Sequence, residues 1–317
     1  MRRIITNVGI AVFGMLIGLF TACDDEGKRP EFPFSSDIFH SVAGKQVAFT
    51  ALTHGAVSWE WDFGDGNNSN EQNPVHVYEE GGYYVASLTA KDASGEVITK
   101  EIKLAVELTP YALLTGDHTV EGYNGKTWKL SSAHSTSGDY LADADVAITP
   151  VKGVPVPLPT GIFDLEFGMG DIYKDEYTFH NNGSYRIDVK EDGGVLGGLV
   201  FQFALDGGAG IINANGAAYG LCIATYTPEE NATFTYVEEE DLVVPSVYGA
   251  GGAVTFQEVS TLDFSGDSFI GFRDFQRKII LNWITDTKMQ LTMFMAASPD
   301  HAPMNTHALV LSFDAVR

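Results

Sequence analysis

Val57-Ser58-Trp59-Glu60-Trp61-Asp62-Phe63-Gly64-Asp65-Gly66-Asn67-Asn68 alternates bulky apolar side chains with polar ones, then breaks into a run of turn formers. Successive side chains of a β-strand point to opposite faces. Val57, Trp59, Trp61 and Phe63 therefore share a buried face, and Ser58, Glu60 and Asp62 face water. The Gly64–Asn68 cluster predicts a tight turn in which Asp65 accepts hydrogen bonds from loop amides. A second alternation, Tyr84, Ala86, Leu88 and Ala90, runs to the turn at Asp92–Gly95, and Ile98, Ile102 and Leu104 extend the pattern. Short strands separated by turns predict an immunoglobulin-like sandwich over residues 36–107.

The string Trp61-Asp62-Phe63-Gly64-Asp65-Gly66, followed by Asn73-Pro74-Val75-His76-Val77-Tyr78 and Gly82-Tyr83-Tyr84, resembles the PKD (polycystic kidney disease type) domain. The resemblance implies a spacer or adhesion module of extracellular bacterial proteins. Asp62 and Asp65 raise calcium as an alternative to turn capping, but calcium takes about six to eight oxygen ligands, so turn capping is the simpler use.

Upstream, Arg2 and Arg3 precede the apolar run Val8–Phe20, too short for a membrane span and suited to a signal-peptide core. The run ends Leu19-Phe20-Thr21-Ala22-Cys23, which resembles a bacterial lipobox. The resemblance implies cleavage after residue 22, lipid on Cys23 and outer-membrane anchoring. Residues 23–35 then form a tether that opens with Asp24, Asp25 and Glu26, similar to the surface-export signal of Bacteroidetes-type lipoproteins. The 317-residue chain carries a net charge of −23, and loss of residues 1–22 removes two arginines and no acid, giving −25. Such a charge repels phosphate backbones and excludes nucleic-acid binding. Only one other cysteine exists, Cys222, inside an apolar run, where it reads as a small buried hydrophobe.

Downstream, residues 108–116 read as a linker and residues 117–317 as a larger β-domain. Strands are expected at Thr127–Leu130, Leu199–Leu205, Ala218–Thr227, Ala232–Val237, Phe269–Phe272, Lys278–Thr285, Lys288–Ala296 and Ala308–Phe313. A hairpin is expected from Glu176–Phe179 to Ser184–Val189 through Asn181-Asn182-Gly183. No stretch shows a helical period, so the whole chain reads as all-β, with a jelly-roll sandwich as its second domain. Lys126-Thr127-Trp128-Lys129-Leu130, Tyr173–Phe179 with Gly183-Ser184-Tyr185, Phe269-Ile270-Gly271-Phe272, and the run Ile279–Leu291 resemble the C-terminal domain of glycan-locus surface lipoproteins. That resemblance implies non-catalytic binding of an extracellular glycan, handed to outer-membrane glycan transport proteins. Where such relatives carry stacking tryptophans, this chain has Val154-Pro155-Val156-Pro157-Leu158-Pro159, Phe163 and Phe167.

A sugar site on a sandwich needs exposed aromatic faces for the C–H side of the ring and polar groups for its hydroxyls. Tyr140, Phe163, Phe167, Tyr173 and Tyr248 lie beside Gly, Pro or Asp and are candidates. Trp283 joins them, although both faces of its strand are apolar and favour burial. Trp128 alternates with Leu130 and reads as core. Asp139, Asp143 and Asp145 are weak candidates for structural calcium, and no other cofactor is expected. Catalysis is not expected. Asp164 and Glu166 would share one strand face, but the third acid of the E-x-D-x-x-E pattern of β-jelly-roll glycosidases is missing, and no nucleophile, zinc or phosphate-loop motif occurs. Glu238–Asp241 reads as a solvated charge run. The alternatives are an adhesion or structural lipoprotein that binds a protein, and a divergent glycoside hydrolase.

Overall fold

The structure, a computed structural model, describes residues 32–145 and 155–316. The expected signal peptide, Cys23 and most of the tether lie outside the described residues.

The first unit is two facing sheets. One holds β1 (Ser35–Ala43), β2 (Gln46–His54) and β5 (Val75–Val77) in the order β1-β2-β5. The other holds β3 (Ala56–Asp62), β4 (Asn68–Ser69), β6 (Gly82–Asp92) and β7 (Val97–Val106) in the order β4-β3-β6-β7. Trp61, Phe63, Phe49, Ala86, Leu88 and Leu104 fill the space between them. The expected alternation of β6 holds, whereas Val57 of β3 is 60% exposed. An irregular register between Ala56 and Ser58 turns it off the inward face. Trp59 is half-buried and donates to Thr53 Oγ1.

The turn after β3 works as its sequence suggests. Asp65 Oδ1 accepts from Asn67 N at 3.0 Å, and Asp62 Oδ1 accepts from Gly64 N at 2.9 Å. His76 lies 2.6 Å from Asp65 Oδ2 and stacks on Phe63, and the Tyr78 hydroxyl donates to the Phe63 carbonyl. Both carboxylates are thus spent on turn capping.

The larger unit is a β-sandwich. Its main sheet runs β12 (Tyr185–Asp188), β11 (Glu176–Phe179), β8 (Lys126–Leu130), β20 (His307–Ala315), β19 (Lys288–Met295), β18 (Ile279–Ile284), β17 (Ala253–Phe264) and β16 (Phe234–Pro245). β9 (Tyr140–Asp143) pairs with β20, and β10 (Val156–Pro157) pairs with β9. A bridge between Ser184 and Thr233 brings the two ends of the sheet together. The second layer is β13 (Gly194–Gly198), β15 (Leu221–Thr225) and β14 (Ile211–Asn213). The expected class, a large sandwich of packed β-layers, holds; β16 to β20 follow one another as a meander, and β8 is inserted between β20 and β11.

The core between the layers takes Trp128, Tyr177, Phe179, Phe269, Leu291, Met293 and Phe313 with Val195, Leu196 and Ile223. Side chains of opposite parity, Phe294, Ile280 and Ala308, meet Leu242, Val244 and Phe256 in a smaller cluster on the other face. Cys222 is buried, its thiol pushed up to about 11 by burial and by Asp274 and Asp206.

Among the described residues four α-helices interrupt the strands: α1 (Pro110–Thr115), α2 (His134–Ser137), α3 (Ile162–Leu165) and α4 (Leu199–Asp206). Two correct strand expectations. Leu199–Leu205 is helical, turned at its end by Gly207 in the left-handed region. Phe163–Leu165 lies in α3 with Glu166 as its C-cap, so Asp164 and Glu166, two apart, point in different directions. Phe269–Phe272 is a buried loop around Gly271 at φ 66°, not a strand. The expected 108–116 linker is part of the larger unit: α1 occupies it, and Leu114 is fully buried in the main core. In the larger unit β9, β10, β13, β14 and β17 were not anticipated, and Glu238–Asp241 lies within β16.

Candidate functional site

Residues Phe163 and Phe167 are brought together by α3. Gly161, at φ 67°, precedes the helix and sends the chain into it, and Phe163 then points inward, 1% exposed, edge-on to His134. One turn later Phe167 is half-buried at the surface. Its carbonyl accepts from Asn215 Nδ2 at 2.9 Å and from Asn213 Nδ2 at 3.3 Å, which fixes the backbone beneath the ring.

Opposite Phe167 stands Tyr219, 58% exposed, with ring centroids 5.5 Å apart and planes inclined by 52°. Tyr219 ends a short 3₁₀ turn, Ala217–Tyr219, and Gly220 follows at φ 77°. A Cβ on Gly220 would come within 2.8 Å of Ala297, so this close approach requires glycine. Sequence reasoning missed Tyr219 because it assigned Ala218–Thr227 to one strand. The signal available was the pair Gly216 and Gly220 around Ala-Ala-Tyr.

The two rings border a cleft of about 350 Å³. Leu158, Leu221, Met295 and Leu309 form its buried floor with Phe163, and Val156, Pro157 and Glu166 stand exposed at its rim. Its volume lies within the range of about 300–1,000 Å³ typical of ligand sites. The wall is apolar, with the Tyr219 hydroxyl and the Glu166 carboxylate as polar groups at the edge. Asp164 does not join Glu166: it packs on Gly170, where an added Cβ would lie 2.5 Å from its Oδ1.

The other candidates are dispersed. Tyr173 hydrogen-bonds His134 Nε2 at 2.9 Å, and burial pushes its hydroxyl up to about 12. Tyr140 lies half-buried in β9. Tyr248, 45% exposed, donates to Asp143 Oδ1 at 3.0 Å. Trp283 is 40% exposed and not buried as its flanking isoleucines suggested. The irregular register between Leu281 and Trp283 turns it outward, where its indole donates to Gln290 Oε1. Trp128 is fully buried, as expected.

Two of the three calcium candidates, Asp139 and Asp143, are committed elsewhere, whereas one carboxylate oxygen of Asp145 is buried with no hydrogen-bond partner among the described residues. Asp139 is buried, 2.8 Å from His134 Nδ1, and accepts from Ser312 N and Oγ and from Gln290. Asp143 holds Tyr248. Among the described residues no group of three or more His, Cys, Asp or Glu side chains is arranged to hold a metal ion.

Residues 40–106 match the PKD domain family. The first unit is a PKD domain. Its sequence relatives include Collagenase ColA of Bacillus cereus, 39% identical over 80 residues, and Collagenase ColQ1 of Bacillus cereus (strain Q1), 49% identical over 88. These alignments cover 25% and 26% of this chain, but only 7% and 9% of the collagenases. Among solved structures, the PKD1 domain of Vibrio anguillarum Epp is 30% identical and matched over 98% of its length and 25% of this chain, with a TM-score of 0.24. A structure described as a carbohydrate-binding module of the β-sandwich superfamily aligns with 90% of this chain and 92% of its own, at 10% identity and a TM-score of 0.25. The fold of the larger unit rests on its own strand order.

Proposed function

We propose that this chain is a non-catalytic glycan-binding lipoprotein. In this reading lipid on Cys23 holds it to the outside of a bacterial outer membrane, the PKD domain spaces the larger unit from the surface, and captured glycan passes to outer-membrane transport proteins. The observation that carries the binding role is the Phe167–Tyr219 pair over the apolar cleft. Inclined aromatic faces suit the C–H faces of successive sugars in a curved chain, and Tyr219 and Glu166 supply hydroxyl partners. The divergent positions of Asp164 and Glu166 favour binding over hydrolysis, because a glycosidase needs two opposed acids. Anchoring many copies on one surface makes weak individual sites sufficient.

Affinity electrophoresis against a polysaccharide panel tests the reading. Retardation by at least one glycan is expected, reduced about tenfold or more in Phe167→Ala and Tyr219→Ala. Unretarded migration in every gel would sink it. Replacing Cys23 by Ser and fractionating cells tests the anchor, which falls if the variant stays in the membrane fraction.

A protein-binding role has one observation in its favour. Phe39, Leu52, Val75 and Val77 are each more than half exposed on the β1-β2-β5 sheet of the PKD domain. Such a face fits a partner surface, and a pull-down that loses its partner on Phe39→Ser would favour that role.

A further inference from the structure

A second cleft, about 700 Å³ in volume, lies between the PKD domain and the larger unit. Tyr83 and Tyr84 line it from the PKD side, and Tyr111 of α1 and Tyr236 of β16 from the other. All four rings are half-buried. Tyr111 lies nearly parallel to Phe234 at 5.8 Å, with its hydroxyl bonded to the Asn181 carbonyl at 2.9 Å. Tyr84 packs on Tyr78 and bonds the Glu80 carbonyl at 2.8 Å. Tyr83 reaches toward the larger unit, where the carboxylates of Asp117 and Asp286 add to burial in raising its hydroxyl.

The walls are held together by a short connector. Only Glu107, Leu108 and Thr109 separate the end of β7 from the start of α1. Thr109 caps that helix by accepting from Ala112 N, and the helix is anchored in the larger core. The aromatic faces are therefore positioned before any ligand arrives, which reduces the ordering cost of binding.

We propose that this inter-unit cleft is a saccharide site built jointly by the two units, and that it takes a neutral glycan and rejects uronate or sulfated chains. It rests on the glycan-binding reading above and makes the PKD domain part of the grip. Tyrosine rings offer an apolar face with a hydroxyl at its edge, the chemistry of a sugar ring's two sides. Glu80, Glu107 and Glu238 line the same space and accept hydrogen bonds from sugar hydroxyls. Against these three carboxylates the lining holds one lysine, Lys45, whose Nζ is bonded to the Glu79 carbonyl. With a chain charge of −23 around it, the cleft repels an anionic polysaccharide.

The test is affinity electrophoresis of residues 24–317 in gels containing neutral glucans, mannans and xylans, beside gels containing alginate and pectin, at one ionic strength. Tyr83→Ala is expected to weaken retention by a neutral glycan about tenfold, and Tyr83→Phe to keep it. Glu107→Gln, an exposed isosteric change, is expected to weaken it several-fold without altering the melting temperature, which guards against misfolding of the alanine variant. Wild-type retention by both Tyr83→Ala and Glu107→Gln, with Tyr219→Ala still defective, would overturn the cleft and leave the Phe167–Tyr219 site standing. Tighter retention by alginate or pectin than by every neutral glycan would overturn the selectivity. No retention of wild type in any gel would remove both sites.

Discussion

The indole nitrogen of Trp128 donates to the carbonyl oxygen of Leu114 at 3.0 Å, and both side chains are fully buried. Trp128 lies in β8, and Leu114 in the helix that directly follows the PKD domain. The core of the larger unit thus begins before residue 117, and a fragment that starts there lacks both the helix and the carbonyl that satisfies the indole. A buried indole without an acceptor pays a desolvation penalty of about 1–3 kcal/mol, and the empty Leu114 site adds a cavity cost. The fragment 109–317 is expected to unfold cooperatively in urea, and 117–317 to show a much lower midpoint or none. Leu114→Ala in the full chain is expected to cost about 2–5 kcal/mol. Equal midpoints for the two fragments would show that α1 is dispensable.

Gly81 sits against the connector between the units. A Cβ there would fall 1.8 Å from the Glu107 carbonyl oxygen and 2.8 Å from its carbon. Glu107 itself adopts φ 33°, a region that non-glycine residues rarely occupy. Gly81→Ala must displace backbone and not a flexible side-chain end. The expected loss is about 1–3 kcal/mol or more, with altered binding in the inter-unit cleft. Chemical denaturation followed by tryptophan fluorescence measures the first effect. An unchanged midpoint would mean that the connector yields freely.

The parts of the fold that were legible in sequence are those where a two-residue period coincides with a wet face. The Tyr84–Ala90 alternation, the Asp65 turn and the Tyr185–Asp188 strand belong to this class, and the buried Glu176–Phe179 strand before it was legible from the Asn181-Asn182-Gly183 turn. Legibility fails where both faces are buried. In β19, Met289–Met295 is covered on both sides, so its apolar run marks a strand but not which residues meet. It fails again where short apolar runs of helix and strand look alike, as in Leu199–Leu205, whose glycine neighbours were the only cue. Of the candidate site, Phe163 and Phe167 were named from sequence. Their relation to Tyr219 was not, because it is made by two left-handed glycines and a contact with Ala297, far along the chain. The acidic stretch at Asp139 suggested calcium because its true partners, Ser312 and Gln290, are more than 150 residues away.

That buried polar group gives a third prediction. Asp139 links α2 to strands β19 and β20 through His134, Gln290 and Ser312, and His134 passes the chain on to Tyr173. Removing the carboxylate strands several buried donors at once. Asp139→Ala is expected to cost several kcal/mol, since each buried donor left without its acceptor costs about 1–3 kcal/mol. Because Phe163 lies edge-on to His134, the Phe167–Tyr219 cleft should lose affinity as well. Near-wild-type stability in Asp139→Ala would show that water replaces the carboxylate and that the network does not organise the cleft.

Asp175 supplies the last prediction. Its carboxyl is fully buried between the 3₁₀ turn at Gly170–Tyr173 and β11, and neither oxygen has a hydrogen-bond partner among the described residues. Burial, and then repulsion from Asp192 and Asp188, pushes its pKa up to about 8, with Lys190 opposing. The unfolded value is 3.8, so between about pH 4 and pH 8 the folded chain holds a proton that the unfolded chain has released. Stability must then fall as pH rises through that window, by at most about 1.4 kcal/mol per pH unit for one proton. Asp274, pushed up to about 7 mainly by burial, acts in the same direction over a slightly narrower window. The urea midpoint of the larger unit is therefore expected to be higher at pH 5 than at pH 8. Asp175→Asn keeps the shape without the ionisation, so it should flatten that slope and stabilise the protein most at pH 8. A variant with the wild-type slope would show that the carboxyl ionises freely in the folded state.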